Sequence, residues 1–209
     1  MASTLRGENL LVVAGPSACG RTTLMKRVVG RRRTAFAKKT LDALSLASDL
    51  SLSKLHINRV RSRLHSGEDI LNARRNCMMH LDLSSRRRSK YFKICPLIFA
   101  HFQCVMSIQV YLSFDAWLAR IQARAQAGAM VSRRARRIVE CSELDYRRGK
   151  DLYRQVYVRW ENYLDRHNVH HRITVDPVAR IVSAQPPQDV RRTVWHSVRY
   201  ALMRHSLRS

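Results

Sequence analysis

The segment that most constrains the fold of this chain lies near its start, where a strand, a short turn and a helix are expected in succession. An apolar run over residues 9–14 leads into Gly15-Pro16-Ser17-Ala18-Cys19-Gly20-Arg21-Thr22, and a helix-forming sequence continues over residues 23–29. A strand that turns directly into a helix is typical of α/β folds, in which the strands form a parallel sheet. The sequence therefore predicts a three-layer α/β fold, with a mainly parallel sheet flanked by helices.

The turn itself has the composition of a phosphate-binding loop. Its eight residues match the pattern G-x-x-x-x-G-K-[ST], except that arginine stands in the place of lysine. Glycine permits positive φ and a close approach of the backbone to an anion, while amides at the start of the helix supply partial positive charge. The residues expected to contact phosphate are Gly15, Pro16, Ser17, Ala18, Cys19, Gly20, Arg21, Thr22 and Thr23. The alternative is a glycine-containing turn that binds nothing.

Two residues at the end of this loop have expected roles in phosphate chemistry. The hydroxyl of Thr22 would bind a magnesium ion that bridges two phosphates, and Arg21 would neutralise the same phosphates. Arginine keeps the charge of the usual lysine but replaces a compact ammonium with a longer, planar group that has five donors. We therefore expect the change to impair catalysis more than binding.

Asp82 is the first candidate for an acidic role, because it follows apolar residues at the end of a predicted strand. In phosphate-loop proteins an aspartate at such a position holds the magnesium ion, directly or through water. Aspartate is also a preferred helix cap. Two interpretations stay open: Asp82 is a magnesium ligand, or it caps a helix that begins near Ser84 or Ser85. His80 lies on the same face of the strand.

The composition favours anionic partners. Lys and Arg number 39 against 15 Asp and Glu, which gives a net charge of +24. Such a surplus suits a nucleotide, an anionic small-molecule acceptor or nucleic acid, although arginines on solvated helix faces explain it equally well. The five cysteines form no C-x-x-C pair, which predicts free thiols in a reducing, cytoplasmic environment. No apolar run reaches the roughly 18 residues of a membrane span, so no membrane contact is expected.

Apolar periodicity along the rest of the chain indicates alternating strands and helices. Strands are predicted over residues 9–14, 78–83, 104–112 and 171–176, and helices over 23–29, 91–102, 114–124, 151–164 and 189–203, with a further helix start at 66–69. The helix over 91–102 is expected to be interrupted by Pro96. The helix over 114–124 is expected to place Phe114, Trp117, Leu118 and Ile121 on one apolar face. Aromatic residues at helical spacing over 151–164 predict core packing, with a base-stacking platform as the alternative.

The chain resembles the small-molecule and nucleotide kinase branch of the P-loop NTPases at two places. Its loop, with Thr22-Thr23-Leu24, is similar to that of guanylate-kinase-like enzymes, and Leu118-Ala119-Arg120-Ile121-Gln122-Ala123-Arg124 resembles the L-x-x-R-[IL]-x-x-R segment that leads into their lid. The resemblance implies ATP and Mg²⁺ as cofactors. It also implies that Arg120 contacts the phosphates or base of ATP and that Arg124 is a supporting lid arginine. The sequence departs from the family in having Arg21 for lysine, Ala18 for glycine, and no guanylate-recognition segment.

Residues 125–150 are a candidate lid, because Gly128 breaks the preceding helix and two basic stretches follow, over 132–137 and 147–150. Lid arginines supply positive charge over a transferring phosphoryl group and exclude water. A solvated basic helix is the alternative reading of the same residues. The expected organisation is a kinase-like domain over 1–183, followed by a helix and tail over 184–209.

Together these features predict an ATP-dependent phosphotransferase that acts on a small acceptor. Arg21, Asp82 and Arg120 would take part in catalysis, and Thr22 and Asp82 would hold the magnesium ion. Two rival functions stay open. One is a sulfotransferase, whose phosphosulfate-binding loop is also glycine-rich; the other is a non-catalytic module that binds a nucleotide or nucleic acid. The sequence names neither the acceptor nor a general base.

Overall fold

The structure of the chain is a computed structural model that describes residues 7–30, 32–57, 60, 75–84 and 88–184, with backbone alone at 88–90. The strands are β1 (Gly7–Gly15), β2 (Ser53–Lys54), β3 (Asn76–Asp82), β4 (Phe102–Val110), β5 (His171–Asp176) and β6 (Ile181–Ser183). The helices are α1 (Arg21–Val29), α2 (Ala35–Asp42), α3 (Arg88–Phe99), α4 (Phe114–Gln126), α5 (Arg133–Leu144) and α6 (Tyr146–Arg166).

The six strands form one sheet in the order β2-β3-β1-β4-β5-β6. Neighbouring strands are parallel except for β5 and β6, which are antiparallel. Helices flank this sheet, so the predicted α/β class with a mainly parallel sheet is confirmed. The chain is described as far as residue 184, and the predicted C-terminal helix over 189–203 lies outside the described residues, as does the helix start at 66–69.

Strand β1 is at the centre of the sheet and of the core. Its residues from Leu10 to Ala14 have no exposed surface, as expected for a parallel strand covered on both faces. The register places Gly15, the last residue of β1, opposite Asp82, the last residue of β3. The first residue of the candidate phosphate loop and the candidate acid Asp82 therefore lie side by side at the carboxyl edge of the sheet.

The connections that leave the central strands create a crevice at this edge of the sheet. The chain leaves β1 toward β2 on one side, whereas it leaves the neighbouring strand β4 toward β5 on the other side. Two adjacent strands whose connections run in opposite directions form a topological switch point, and ligands of open α/β sheets bind in the crevice there. The loop over residues 15–22 starts at this crevice.

The aromatic residues of α6 belong to the core. Tyr153, Tyr157 and Trp160 are fully buried, and Trp160 packs with Phe92 and Tyr163. The tyrosine hydroxyls are hydrogen-bonded where they are buried: Tyr153 donates to the carbonyl of Leu112 at 2.9 Å and Tyr157 to that of Val110 at 3.1 Å. The prediction of core packing is confirmed, since a base cannot stack on rings that have no exposed face.

Helix α3 continues through Pro96, at which we expected the helix to be interrupted. A proline inside a helix leaves the carbonyl four residues earlier without its amide donor. Here that carbonyl belongs to Phe92, and the hydroxyl of Tyr163 donates to it at 2.9 Å. The hydrogen bond from α6 replaces the missing one, which explains why the prediction of a break was wrong.

One helix boundary and two short strands differ from the sequence predictions. Helix α6 begins at Tyr146, capped by the carboxylate of Asp145, which accepts the amide of Arg148 at 3.1 Å. The basic residues 147–150, predicted to precede the helix, are therefore part of its first turns. The short strands β2 and β6 were not predicted, because two or three residues at a sheet edge carry too little periodicity to be recognised.

Candidate phosphate-binding site

The loop over residues 15–22 needs glycine at both of its ends. A Cβ added to Gly15 would lie 2.6 Å from Sγ of Cys19 and 2.7 Å from the carbonyl oxygen of Val110, so a side chain there would clash. Gly20 has φ of 103°, a backbone conformation that side-chain-bearing residues rarely adopt. The two glycines of the sequence pattern therefore correspond to two distinct requirements of the loop geometry.

Ala18 shows that the loop has a third position suited to glycine. Its φ is 64°, in the left-handed region, where a residue with a Cβ is destabilised by about 1–2 kcal/mol. This is the position at which the kinases that the sequence resembles have glycine. Residues held in sparsely populated backbone conformations cluster at ligand-binding sites, so the strain is consistent with a loop shaped for binding.

Helix α1 begins immediately after the loop with an uncapped N-terminus. Its N-cap residue is Gly20, which has no side chain to accept the first amides, and no acidic residue lies in the first turn. The partial positive charge of this helix end is thus left without a protein anion in the first turn. Arg21, Thr22 and Thr23 form that turn, and the side chains of Thr22 and Thr23 are exposed.

Asp82 is the centre of the polar network beneath the loop. Its Oδ2 lies 3.1 Å from Nη2 of Arg21 and accepts the hydroxyl of Ser17 at 2.6 Å. Its Oδ1 accepts both the amide and the hydroxyl of Ser84, at 2.9 and 2.6 Å. The amide of Ser17 in turn donates to the Ser84 hydroxyl at 3.0 Å. The loop, the end of β3 and the start of α1 are joined through this one carboxylate.

The network fixes the ionisation state of Asp82. Burial acts to raise the pKa of this carboxyl, but the Arg21 guanidinium and the donors on Ser17 and Ser84 outweigh it and hold the pKa below its ordinary value. Asp82 is therefore ionised at neutral pH. Oδ1 accepts the amide of Ser84 as a helix cap would, but a helix start near Ser84 or Ser85 falls partly on residues 85–87, outside the described residues. The alternative that Asp82 caps a helix therefore stays open.

Arg21 is buried, and one of its two terminal guanidinium nitrogens has no acceptor among the described residues. About a tenth of its side chain is exposed, and Nη1 is shielded from solvent and has no hydrogen-bond acceptor in the described part of the chain. The side chain passes under the first loop residue, since Cδ of Arg21 lies 3.5 Å from the position of a Cβ on Gly15. A buried, unpaired donor of a charged group is costly, so this nitrogen is suited to an additional anionic acceptor.

Two neighbouring titratable side chains are uncharged at neutral pH. Burial raises the pKa of the Cys19 thiol to about 11, so it is protonated and unreactive at neutral pH. Burial, together with the charges of Arg21 and His56, lowers the pKa of His80. His80 is therefore neutral at pH 7 and adds no charge beside Asp82.

Helix α4 holds the loop from its other side. The indole Nε1 of Trp117, which is fully buried, donates to the carbonyl of Ser17 at 2.8 Å. Nη1 of Arg120 lies 3.8 Å from the position of a Cβ on Gly20, so Arg120 is beside the loop, and its contact with ATP stays a prediction. Arg124 is exposed. Its lid role stays a prediction.

The candidate lid reaches the same network through its first helix. Gly128 has φ of 69° and follows the end of α4, and Ser132 is the N-cap of α5. The hydroxyl of Ser132 donates to that of Ser84 at 3.0 Å. A chain of hydrogen bonds thus connects the start of basic helix α5 to Asp82, while Arg133 and Arg136 on this helix are exposed.

The arrangement around Asp82 does not fit a directly or indirectly bound magnesium ion. A carboxylate has about four acceptor positions, and Arg21, Ser17 and two donors of Ser84 already use four. Thr22, the other expected ligand, is exposed, so its role toward an ion stays a prediction. Among the described residues, no three or more His, Cys, Asp and Glu side chains lie close enough together to hold a metal ion.

Three residues of this site were not predicted as functional: Ser84, Ser132 and Trp117. Trp117 was expected on the apolar face of its helix, and the structure confirms that burial while adding a hydrogen bond to the loop. Ser84 carries a usable signal, because a serine two residues after a strand-terminal aspartate can donate back to that carboxylate. Ser132 carries only the signal of a helix N-cap.

Comparison with known proteins leaves the chain without an assigned family. No model of a protein family matches it, and no curated protein has a similar sequence. Among the described residues, no helix has the length and apolar character needed to cross a membrane. The geometry of the loop and of the Asp82 network therefore carries the functional argument.

Proposed function

We propose that this chain binds a nucleotide, with ATP as the expected ligand, and holds its phosphates in the loop over residues 15–22. The observation that carries the proposal is Arg21: a buried guanidinium with one unpaired nitrogen, located under a glycine-bounded loop. Protein donors of this type pair with carboxylate or phosphate oxygens. The loop lies at the switch point of the sheet, the place where α/β folds bind ligands.

The charge and backbone around the loop support phosphate as the bound group. The uncapped N-terminus of α1 contributes partial positive charge, and Arg120 adds a full charge beside Gly20. Ala18 and Gly20 hold the strained turn that lets the backbone curve toward an anion. The net charge of +24 adds long-range attraction for a polyphosphate.

Phosphoryl transfer to a small anionic acceptor is the activity that the kinase resemblance implies, and it remains part of the proposal. Transfer depends on positioning and on positive charge around the transferred group, for which Arg21, Arg120 and the exposed arginines of α5 are candidates. No general base is assigned; Asp82 is unsuited to that role, because it is ion-paired with Arg21 and its pKa is held below the ordinary value.

A non-catalytic nucleotide-binding module is the second candidate, and the Arg21–Asp82 ion pair favours it. The kinase interpretation assigns Arg21 and Asp82 to catalysis, but in the structure these two residues pair with each other at 3.1 Å. Such a module would bind ATP without turnover. Comparing the natural chain with Arg21→Lys separates the two candidates: a strong rise in turnover at similar affinity indicates a weakened kinase, whereas no turnover in either protein indicates a module.

Thermal unfolding tests the binding proposal. A ligand at about 100 times its dissociation constant stabilises the folded state by about 2.7 kcal/mol, which corresponds to a rise of about 5–10 °C in melting temperature for a chain of this size. We expect such a rise with ATP at several millimolar. No rise would refute nucleotide binding, and a larger rise with adenosine 3′,5′-bisphosphate than with ATP would favour the sulfotransferase alternative.

Thr22→Glu is the matched loss-of-binding variant. An acidic residue in the first turn of α1 favours the helix by roughly 0.3–1 kcal/mol, so the variant should fold, but its carboxylate would repel phosphate at the same position. Arg159→Ala is the control, because it lowers the net charge by the same one unit at an exposed position of α6. We expect Thr22→Glu to abolish the ATP-dependent rise and Arg159→Ala to keep it. Equal losses would show that only general electrostatic attraction is involved.

A further inference from the structure

The environment of Asp82 raises the question of which cation faces the phosphates. In the kinases that the sequence resembles, a divalent ion is expected between the strand-terminal aspartate and the nucleotide. Here a protein cation already lies against that aspartate: Nη2 of Arg21 is 3.1 Å from Oδ2. The remaining acceptor positions of the carboxylate are used by the hydroxyl of Ser17 and by the amide and hydroxyl of Ser84.

A magnesium ion would have to displace these donors. Magnesium requires near-octahedral oxygen ligands at short distances and keeps several waters, and a water that donates to Asp82 needs an acceptor position just as the ion does. The displaced group would be either the guanidinium, which is nine-tenths buried, or a serine hydroxyl that holds the loop to β3. Each displacement leaves a buried donor without a partner.

The second terminal nitrogen of the Arg21 guanidinium is a donor that Asp82 does not use. Arg21 uses one terminal nitrogen on Asp82, and the other, Nη1, has no acceptor within the described residues. A planar guanidinium can donate to two anions through different nitrogens. With Asp82 on one side and a phosphate oxygen on the other, Arg21 would bridge the two anions, which is the arrangement that a divalent ion otherwise provides.

We infer that the Arg21 guanidinium takes the place of a divalent cation between Asp82 and the bound phosphates, so that the loop binds a polyphosphate without a metal ion. The inference rests on the proposed function, because it concerns the same loop. The arginine that stands in the place of lysine in the loop pattern then has a binding function of its own. Arg21 is a bridging residue between Asp82 and the ligand, and Asp82 acts through Arg21 as a positioning residue.

Calorimetric titration of the full chain with ATP, once in excess EDTA and once in several millimolar Mg²⁺, tests the inference. We expect dissociation constants that agree within about threefold, a difference of less than roughly 0.7 kcal/mol. Binding that weakens more than about tenfold in EDTA would overturn the inference while leaving nucleotide binding intact. Absence of binding under both conditions would instead refute the proposed function, and the inference with it.

Asp82→Asn provides a second, independent readout. If Asp82 positions Arg21, the variant should bind ATP with the same affinity in EDTA and in Mg²⁺, as the natural chain does. If Asp82 is a metal ligand, the variant should lose affinity in Mg²⁺ alone. Titration with Mn²⁺ and ADP, followed by electron paramagnetic resonance, adds a direct view of the ion: we expect the same spectrum with the natural chain and with Asp82→Asn. A spectrum that changes on this substitution would show that Asp82 binds the ion.

Discussion

Replacing Asp82 by asparagine should destabilise the folded protein substantially, because it leaves the buried Arg21 charge without a counter-charge. The side chain of Arg21 is 10% exposed and that of Asp82 is 26% exposed. Removing one partner of a buried ion pair costs about 3–5 kcal/mol. Asparagine keeps an oxygen for the two donors of Ser84, and the partial exposure of Asp82 screens its charge. We therefore expect a loss of about 2–4 kcal/mol in the free energy of unfolding.

Urea denaturation at pH 7 measures this loss, and Asp151→Asn is the matched control. Asp151 forms a 3.6 Å ion pair with Arg154 in which the Asp151 side chain is 65% exposed, so its replacement should change the free energy of unfolding by less than about 0.5–1 kcal/mol. The double variant Arg21→Met with Asp82→Asn removes the buried charge as well, and should lose less than the sum of the two single changes. A loss below about 1 kcal/mol for Asp82→Asn would refute the network described for this carboxylate.

The free energy of unfolding should also depend on pH, because protonation of Asp82 breaks its ion pair with Arg21. The pKa of Asp82 is lower in the folded protein than its ordinary value of 3.8, so its ion pair stabilises the fold fully above that value. The stabilisation should disappear as the pH falls through the lower folded pKa. We expect the stability curves of the natural chain and Asp82→Asn to converge in that acidic range. Curves that stay parallel would show that Asp82 contributes nothing through its charge.

Three further predictions concern the loop. Ala18→Gly should stabilise the chain by up to about 1 kcal/mol, because relief of the left-handed strain exceeds the added entropy of glycine; a destabilised variant would contradict the positive φ. Gly20→Ala should cost more in denaturation than Gly128→Ala, by roughly 1 kcal/mol, because an added Cβ lies 3.3 Å from Pro177 at Gly20 and meets nothing at Gly128. Cys19 should resist thiol reagents at pH 8 until the protein unfolds, since burial raises its pKa to about 11; peptide mapping that finds it labelled in the native state would refute this.

Much of the fold could be predicted because its signals are local. The run over residues 9–14 is apolar at every position but Asn9, as a strand covered on both faces requires, and the loop that follows has glycine at the two positions where the structure demands it. The strand end at Asp82 and the apolar face of α4 were predicted for similar reasons. The continuation of α3 through Pro96 was not, because it depends on the hydroxyl of Tyr163, which lies far away in sequence.

The candidate site was predicted in its residues but not in its connections. The sequence pattern named Arg21, Asp82 and Arg120 separately, and nothing in it indicated that Arg21 pairs with Asp82 rather than pointing at a ligand. That contact depends on the β1–β3 register, which places Gly15 opposite Asp82. Ser84 and Ser132 complete the network through side-chain hydrogen bonds over long sequence distances, which no local pattern encodes.

We propose that phosphates bind at the loop and not merely on the basic surface of the chain. Amide chemical-shift changes on adding ATP to the isotope-labelled chain, at an ionic strength of about 0.15 M that screens exposed charges, test this most directly. We predict that the largest changes fall on residues 17–23 and that the guanidinium resonances of Arg21 move with them. Changes confined to the exposed arginines of α5, with the loop unaffected, would contradict the account.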